Sequence, residues 1–241
     1  MRHELKYILN PIQYELLRRR LRWVLQPDDN ASEDGDYFIR SIYFDSPDRV
    51  ALQEKLSGIN KRKKYRIRFY NGDASKCRLE CKEKTGNRIN KLSCALTPEE
   101  VRQLFRPEDS WSDADLAKPG ELCDNSDLAK PELLQQMLLL KKSEGYEPVV
   151  TVDYVREAYV LPLSDLRITF DKQLAWGPVR NCLEHERYLS NIYGDHVILE
   201  VKYNEYLPRH ISDIIASVGV IQTAASKYVA CVEAQKDAKG Y

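Results

Sequence analysis

Lys61-Arg62-Lys63-Lys64-Tyr65-Arg66-Ile67-Arg68-Phe69-Tyr70, a turn at Asn71-Gly72, the run Lys76 to Thr85, a turn at Gly86-Asn87 and the run Arg88 to Leu96 together decide the fold. Side chains at i and i+2 of a strand point to one face, so Arg66 and Arg68 stand together, as do Glu80, Lys82 and Lys84. The other parity is apolar, with Ile67 and Phe69 on the first run and Leu79 and Cys81 on the second. Three such runs separated by glycine-containing turns read as an antiparallel meander.

The same alternation recurs on both sides of it. Arg2 to Leu9 sets Glu4 and Lys6 against Leu5, Tyr7 and Leu9. Tyr37 to Asp45 is strand-like. Pro148 to Leu161 carries Tyr154 and Arg156, and Leu166 to Leu174 carries Arg167 and Asp171 on one face with Ile168 and Phe170 on the other. A weaker strand is expected near Leu183 to Leu189. His196 to Tyr203 places Glu200 and Lys202 opposite Val197, Leu199 and Val201.

Helices fall between these runs. Asn10 followed by Pro11 is a cap and first-turn proline, and predicts a helix to about Gln26, before Pro27. Ser46-Pro47 opens a second helix that Gly58 closes, and Thr97-Pro98-Glu99-Glu100 caps a third. Leu-rich Pro131 to Ser143, Pro208 to Ser217 and Ser226 to about Asp237 complete the set. Asp28 to Asp36 reads as a loop and Pro107 to Lys130 as irregular and insertion-like. With no repeat and no linker, the sequence predicts one domain over 1–241.

Composition narrows the function. At 43% hydrophobic residues with 10 Gly and 11 Pro, the chain can bury a sizeable core. The 37 basic and 37 acidic side chains balance, which argues against a general nucleic-acid binder. The basic run from Lys61 to Arg68 splits its charges between two faces, so no nucleic-acid partner is expected. The six cysteines form no CxxC and are read as reduced, small apolar residues. No apolar signal core opens the sequence and no run of about 18 apolar residues occurs, so a cytoplasmic chain without membrane insertion is expected. GxxxxGK and HExxH are both absent.

Amphipathic helices need an apolar surface to cover. If they wrap the outside, the apolar parity meets them and the charged parity faces inward. The expected fold is therefore α+β, a closed antiparallel eight-stranded β-barrel with helices packed on the outside. Burying so many charges in a dry core would be prohibitive, whereas a wet lumen holding a polyanion is not. Arginine offers bidentate geometry to phosphate oxygens, and the carboxylates could hold a divalent metal that bridges phosphates.

The series Glu4-x-Lys6, Arg66-x-Arg68, Glu80-x-Lys82-x-Lys84, Arg156, Arg167, Glu200-x-Lys202 and Ser226-Lys227 resembles the triphosphate tunnel enzymes. Within them it most resembles the vacuolar transporter chaperone (VTC) domain, the polyphosphate polymerase branch. That resemblance implies a metal-dependent phosphotransferase moving the γ-phosphoryl of a nucleoside triphosphate, ATP being the expected donor, onto a polyphosphate chain. It implies catalytic phosphate contacts from Lys6, Arg66, Arg68, Lys82, Arg156, Arg167 and Lys227. Further substrate contacts fall on Lys84, Lys91, Tyr154, Ser226 and Lys202, and the metal carboxylates, for Mn²⁺ or Mg²⁺, on Glu200, Glu4 and Glu80. Transmembrane segments in eukaryotic relatives leave a membrane-protein partner open. One departure bears on the reaction: hydrolytic relatives open with Glu-x-Glu-x-Lys, and this chain has Arg2-x-Glu4-x-Lys6. The missing carboxylate favours a polymerase or a non-catalytic polyphosphate or nucleotide sensor over a triphosphate hydrolase.

Overall fold

The computed structural model describes residues 3–28, 35–86, 88–106, 130–184, 186–188 and 190–240. Arg2, Asn87, the insertion-like stretch with Trp111 and Cys123, and His185 lie outside the described residues. The strands are β1 (His3–Leu9), β2 (Gln26–Pro27), β3 (Asp36–Asp45), β4 (Lys61–Tyr70), β5 (Arg78–Thr85), β6 (Arg88–Ala95), β7 (Glu147–Val160), β8 (Arg167–Gly177), β9 (Ser190–Asn191) and β10 (Val197–Tyr203). The helices among the described residues are α1 (Pro11–Leu21), α2 (Val50–Leu56), α3 (Pro98–Phe105), α4 (Lys130–Glu144), α5 (Arg209–Ala216) and α6 (Lys227–Lys239).

The strands form one ten-stranded sheet in the order β1-β10-β8-β7-β3-β4-β5-β6, with β2 added to β7 and β9 to β8. This corrects the expected closed eight-stranded barrel: the sheet is open, with β1 and β6 at its ends. Alternation specifies which face a side chain takes and is silent on whether the end strands pair. At one end Arg88, Asn90 and Lys91 of β6 are exposed, the charged, polar character that discourages further pairing at an edge.

The chain divides into two compact units. One comprises Met1–Ile39, Asp153–Trp176 and Arg187–Tyr241, and the other Arg40–Val152 and Gly177–Glu186.

In the first unit, β1, β10 and β8 align Leu5 with Val201 and Ile168, and Tyr7 with Leu199 and Phe170. Leu17 and Leu21 of α1 and Ile211 and Ile215 of α5 pack against this apolar parity. Truncating one such buried leucine to alanine costs roughly 2–5 kcal/mol, which sets the scale of the contribution. Helix α1 starts on a capping box, Asn10 Oδ1 accepting from Gln13 N (2.8 Å) and Gln13 Oε1 from Asn10 N (3.0 Å). It ends at Leu21, earlier than expected, because the chain turns and pairs Gln26 and Pro27 with Val160 and Tyr159. Glu157 of β7 secures α1 to the sheet. Its carboxylate accepts from Tyr14 Oη (2.6 Å), Arg18 Nε (2.8 Å) and the Tyr159 hydroxyl.

In the second unit, Ile67, Phe69, Leu79, Cys81 and Cys94 of the meander pack with Val101 and Leu104 of α3 and with Leu133, Met137 and Leu138 of α4. Thr97 and Glu100 form the expected capping box of α3. Asp45 Oδ1 and Oδ2 accept from Ala51 N (2.8 Å) and Leu52 N (3.1 Å), fastening the start of α2. Arg40 lies on the apolar parity of β3 and donates to the carbonyls of Cys182 and Glu186, each at 2.8 Å. Those bonds and the turn at 181–184 account for a second correction. Residues 183, 184 and 186–188 are not strand, and the short strand of this region is β9, paired with Ala175 and Trp176. Cys77, Cys81, Cys94, Cys182 and Cys231 are all buried free thiols, in keeping with their reading as small apolar residues.

Candidate functional site

The first unit gathers nine of the fifteen nominated residues: Glu4, Lys6, Tyr154, Arg156, Arg167, Glu200, Lys202, Ser226 and Lys227. Strand register brings Lys6 opposite Glu200, and Glu4 opposite Lys202, which in turn faces Arg167. Glu200 is buried and meets Lys202 Nζ (2.7 Å), Lys227 Nζ (2.9 Å), Lys6 Nζ (3.1 Å) and Arg156 Nη2 (3.7 Å). Beside it, Glu4 lies 3.6 Å from Lys6 Nζ and 3.7 Å from Lys202 Nζ.

Asp171, which the sequence placed on a charged face without assigning it a role, completes this cluster. Its carboxylate accepts from Arg156 Nε (2.6 Å) and Nη2 (2.8 Å) and from Lys227 Nζ (2.5 Å). Arg156 and Lys227 also lie over the Tyr154 ring, 5.4 Å and 5.0 Å from its centroid. Backbone bonding explains how Lys227 arrives there. Thr223 N donates to Lys6 O (2.8 Å) and Gln222 bridges to Tyr7, so the segment leading into α6 is tied to β1. Ser226 occupies the N-cap of α6 and makes no side-chain cap bond. Arg167 turns aside to Asp28 (3.0 Å) and Tyr37 Oη (3.0 Å), and its Nε is buried without a hydrogen-bond partner.

These contacts set the charge states. Burial pushes the Glu200 carboxyl up, but Lys202, Lys227, Lys6 and Arg156 outweigh burial and hold it well below the ordinary value. Asp171 is likewise lowered, Arg156 and Lys227 prevailing over burial. Lys227 is raised, since Asp171 and Glu200 overcome its desolvation, and Lys6 is raised mainly through Glu200. Lys202 goes the other way. Burial and the Arg156 charge lower it despite Glu200 and Glu4.

The second unit holds the other six: Arg66, Arg68, Glu80, Lys82, Lys84 and Lys91. Cross-strand register pairs Arg66 with Glu80 and Ser93, Lys64 with Lys82 and Lys91, Arg68 with Arg78 and Ala95, and Arg62 with Lys84 and Ile89. Cross-strand partners share a face, so one face of the meander carries eight basic side chains and a single acid among twelve positions. Glu80 anchors part of this array, accepting from Arg66 Nε (2.9 Å) and Lys91 Nζ (2.7 Å) with Arg68 Nη2 at 3.2 Å. Burial raises the Glu80 carboxyl, and Arg66 and Lys91 more than reverse that. Tyr43 Oη accepts from Arg66 (2.9 Å) and Tyr70 Oη from Arg68 (3.2 Å), which orients both guanidinium groups. Arg68 Nε is buried without a partner. Arg62, Lys64 and Arg78 were not among the nominated residues, although they share parity with Arg66 and Glu80 on their own strands; the register joins the three strands' faces into one.

Among the described residues no group of three His, Cys, Asp or Glu side chains is placed to hold a metal ion, so an all-protein cage is not formed. Mg²⁺ and similar hard cations are also held by one or two carboxylates plus substrate phosphates, and Glu200 with Glu4 beside the same two lysines fits that mode. Glu80 belongs to the other unit.

Two solved structures share this architecture at low identity. The putative adenylyl cyclase HpAC1 from Hippeastrum, reported to have a dominant triphosphatase activity, is 16% identical with a TM-score of 0.55, covering 97% of this chain and 96% of its own. A putative adenylate cyclase from Bacillus halodurans is 12% identical with a TM-score of 0.50, covering 92% of each chain. The likeness is one of fold. The chain belongs to the VTC domain family, whose pattern it matches over residues 1–236. No curated protein matches it. No helix among the described residues is long and apolar enough to cross a membrane.

Proposed function

We propose that the chain is a phosphotransferase of the polyphosphate polymerase type, moving the γ-phosphoryl of ATP onto the end of a polyphosphate chain in the cytoplasm. The observation that carries this reading is the meander face with eight basic side chains and one acid. Such an excess calls for a highly charged linear anion rather than a single carboxylate. Arg66 and Arg68, oriented by Tyr43 and Tyr70, offer planar donors to phosphate oxygens, and Lys82, Lys84 and Lys91 add point charges along the strands. In the other unit Lys6, Arg156, Arg167, Lys202 and Lys227 contact phosphate, assisted by Tyr154 and by Ser226 at the N-terminus of α6.

Phosphoryl transfer depends mainly on positioning and on stabilising charge. Glu200 and Glu4 would hold Mn²⁺ or Mg²⁺, which when bound neutralises charge on phosphate oxygens. The acceptor is a terminal phosphate, already anionic near neutral pH, so no side chain need remove a proton. Family membership supports action on condensed phosphates, and the missing first carboxylate at Arg2 supports transfer to phosphate over transfer to water.

The deciding experiment incubates purified protein with ATP and Mn²⁺ and resolves the products on a polyphosphate-detecting gel. Chains are expected. ADP and free phosphate without chains would make the protein a hydrolase, and unchanged ATP with tight binding would make it a sensor; either result overturns the polymerase reading. The metal assignment is read separately, as Mn²⁺ binding in the presence of tripolyphosphate, which Glu200→Gln should weaken.

A further inference from the structure

Helix α1 is apolar on two opposite sides. Leu17 and Leu21 are buried in the core of their unit. On the outer side Ile12 is 72% exposed and Leu16 42%, and Trp23, two residues past the helix end, is 90% exposed. At 3.6 residues per turn, positions 12, 16, 19 and 23 fall along one stripe. Arg19 lies within the stripe, and Arg20 and Arg22 flank it.

The inner side needs no further partner, since Glu157, Tyr14 and Arg18 already fix it to β7. The outer arginines each use one guanidinium N–H within the protein and are otherwise exposed to solvent. Arg19 Nε donates to Glu15 (2.7 Å), Arg20 to the Ser217 hydroxyl, and Arg22 Nε to Tyr159 Oη (2.8 Å). From Pro11 to Val24 there are four arginines and one glutamate. The surface continues past the helix. Gln13 Nε2 donates to Val218 O (3.0 Å), and three residues beyond that carbonyl Ile221 is 84% exposed.

We propose that α1 and the turn after it dock on an anionic lipid surface. Ile12, Leu16 and Trp23 enter the boundary between headgroups and acyl chains, and Arg19, Arg20 and Arg22 meet lipid phosphates. The reasoning is charge complementarity joined to side-chain type. An exposed tryptophan and two aliphatic residues bordered by arginines are the composition of a helix that lies in the membrane interface. Arginine stems cover apolar surface while their heads stay in the polar layer. The docking is adsorption on one leaflet, independent of the phosphotransferase reading, and needs no membrane-crossing helix.

The test mixes the full chain with phosphatidylcholine vesicles, with and without phosphatidylglycerol, and measures the sedimented fraction as salt is raised. Binding is expected only to the anionic vesicles, with a blue shift of tryptophan emission, and it should weaken with salt. At about fivefold per arginine near an anionic surface, Arg19→Gln with Arg20→Gln should lower partitioning about thirtyfold. Trp23→Ser should abolish binding, whereas Trp23→Phe should keep it and lose most of the blue shift; unchanged melting confirms that each variant is folded. Equal binding to neutral vesicles, no binding to anionic ones, or binding indifferent to Trp23→Ser would overturn the proposal. So would self-association of the chain that Trp23→Ser dissolves, because the stripe would then belong to a second copy.

Discussion

Lys227 and Lys202 both contact Glu200, yet their environments differ in sign. Lys227 is raised by two buried carboxylates, and its removal leaves Asp171 and Glu200 short of a partner. Lys227→Met should therefore cost about 3–5 kcal/mol of stability in urea titrations. Lys202 is held below its ordinary value by burial and by Arg156, despite the carboxylates of Glu200 and Glu4 beside it. Lys202→Met should cost at least about 2 kcal/mol less than Lys227→Met while still weakening phosphate binding. Equal losses for the two lysines would contradict this distinction. At this scale strand parity puts Lys6 and Glu200 on charged faces, whereas Lys227, the first residue of a helix, was named only through the family resemblance. Asp171 was seen only as sharing a face with Arg167; that it engages Arg156 and Lys227 depends on β7, β8 and α6 coming together.

Among the elements, the meander of β4, β5 and β6 carries the basic excess. Arg66 there makes charge-assisted bonds to Glu80 and Tyr43 and would make others to phosphate. Arg66→Gln should weaken tripolyphosphate binding about ten- to a hundredfold, the worth of one charged hydrogen bond or slightly more. The same substitution at Arg62, at the far end of the strand and away from Glu80 and Tyr43, should cost less, and calorimetric titration of both variants would show it. Helix starts were legible because their signals are local: Asn10-Pro11 with Gln13, and Thr97-Pro98 with Glu100, are complete within four residues. Element ends were less so. Helix α1 stops five residues early because β2 recruits Gln26 and Pro27. The described residues near Leu183 are not strand because Arg40, more than 140 residues away in sequence, engages the carbonyls of Cys182 and Glu186. Parity identified the charged face of each strand, Lys64 and Arg78 included, but that the faces of β4, β5 and β6 form one basic surface follows only from the register.

For the whole molecule, buried carboxylates tie stability to pH. Glu200, Glu80 and Asp171 all have folded pKa values below their ordinary values of 4.5, 4.5 and 3.8. Their contribution is complete above those ordinary values and is lost as pH falls through the lower folded ones. The melting temperature should thus drop steeply below about pH 4.5. In Glu80→Gln, which lacks one of these titrations, the drop should be shallower; an identical slope would count against the pairing. Closure of the sheet was the feature the sequence left unread. Alternation says which side chains share a face, and every charged face deduced that way is present. Whether two end strands meet is a long-range property with no local signature, and the open order from β1 to β6 answers it.

The central claim is that the basic meander face receives a condensed phosphate. Titrating tripolyphosphate into the full chain in a calorimeter tests it most directly, with the double variant Arg66→Gln, Arg68→Gln alongside. Saturable binding that weakens as salt rises, and that vanishes in a double variant still melting cooperatively, is the predicted result. Undiminished affinity in that folded variant would contradict the account.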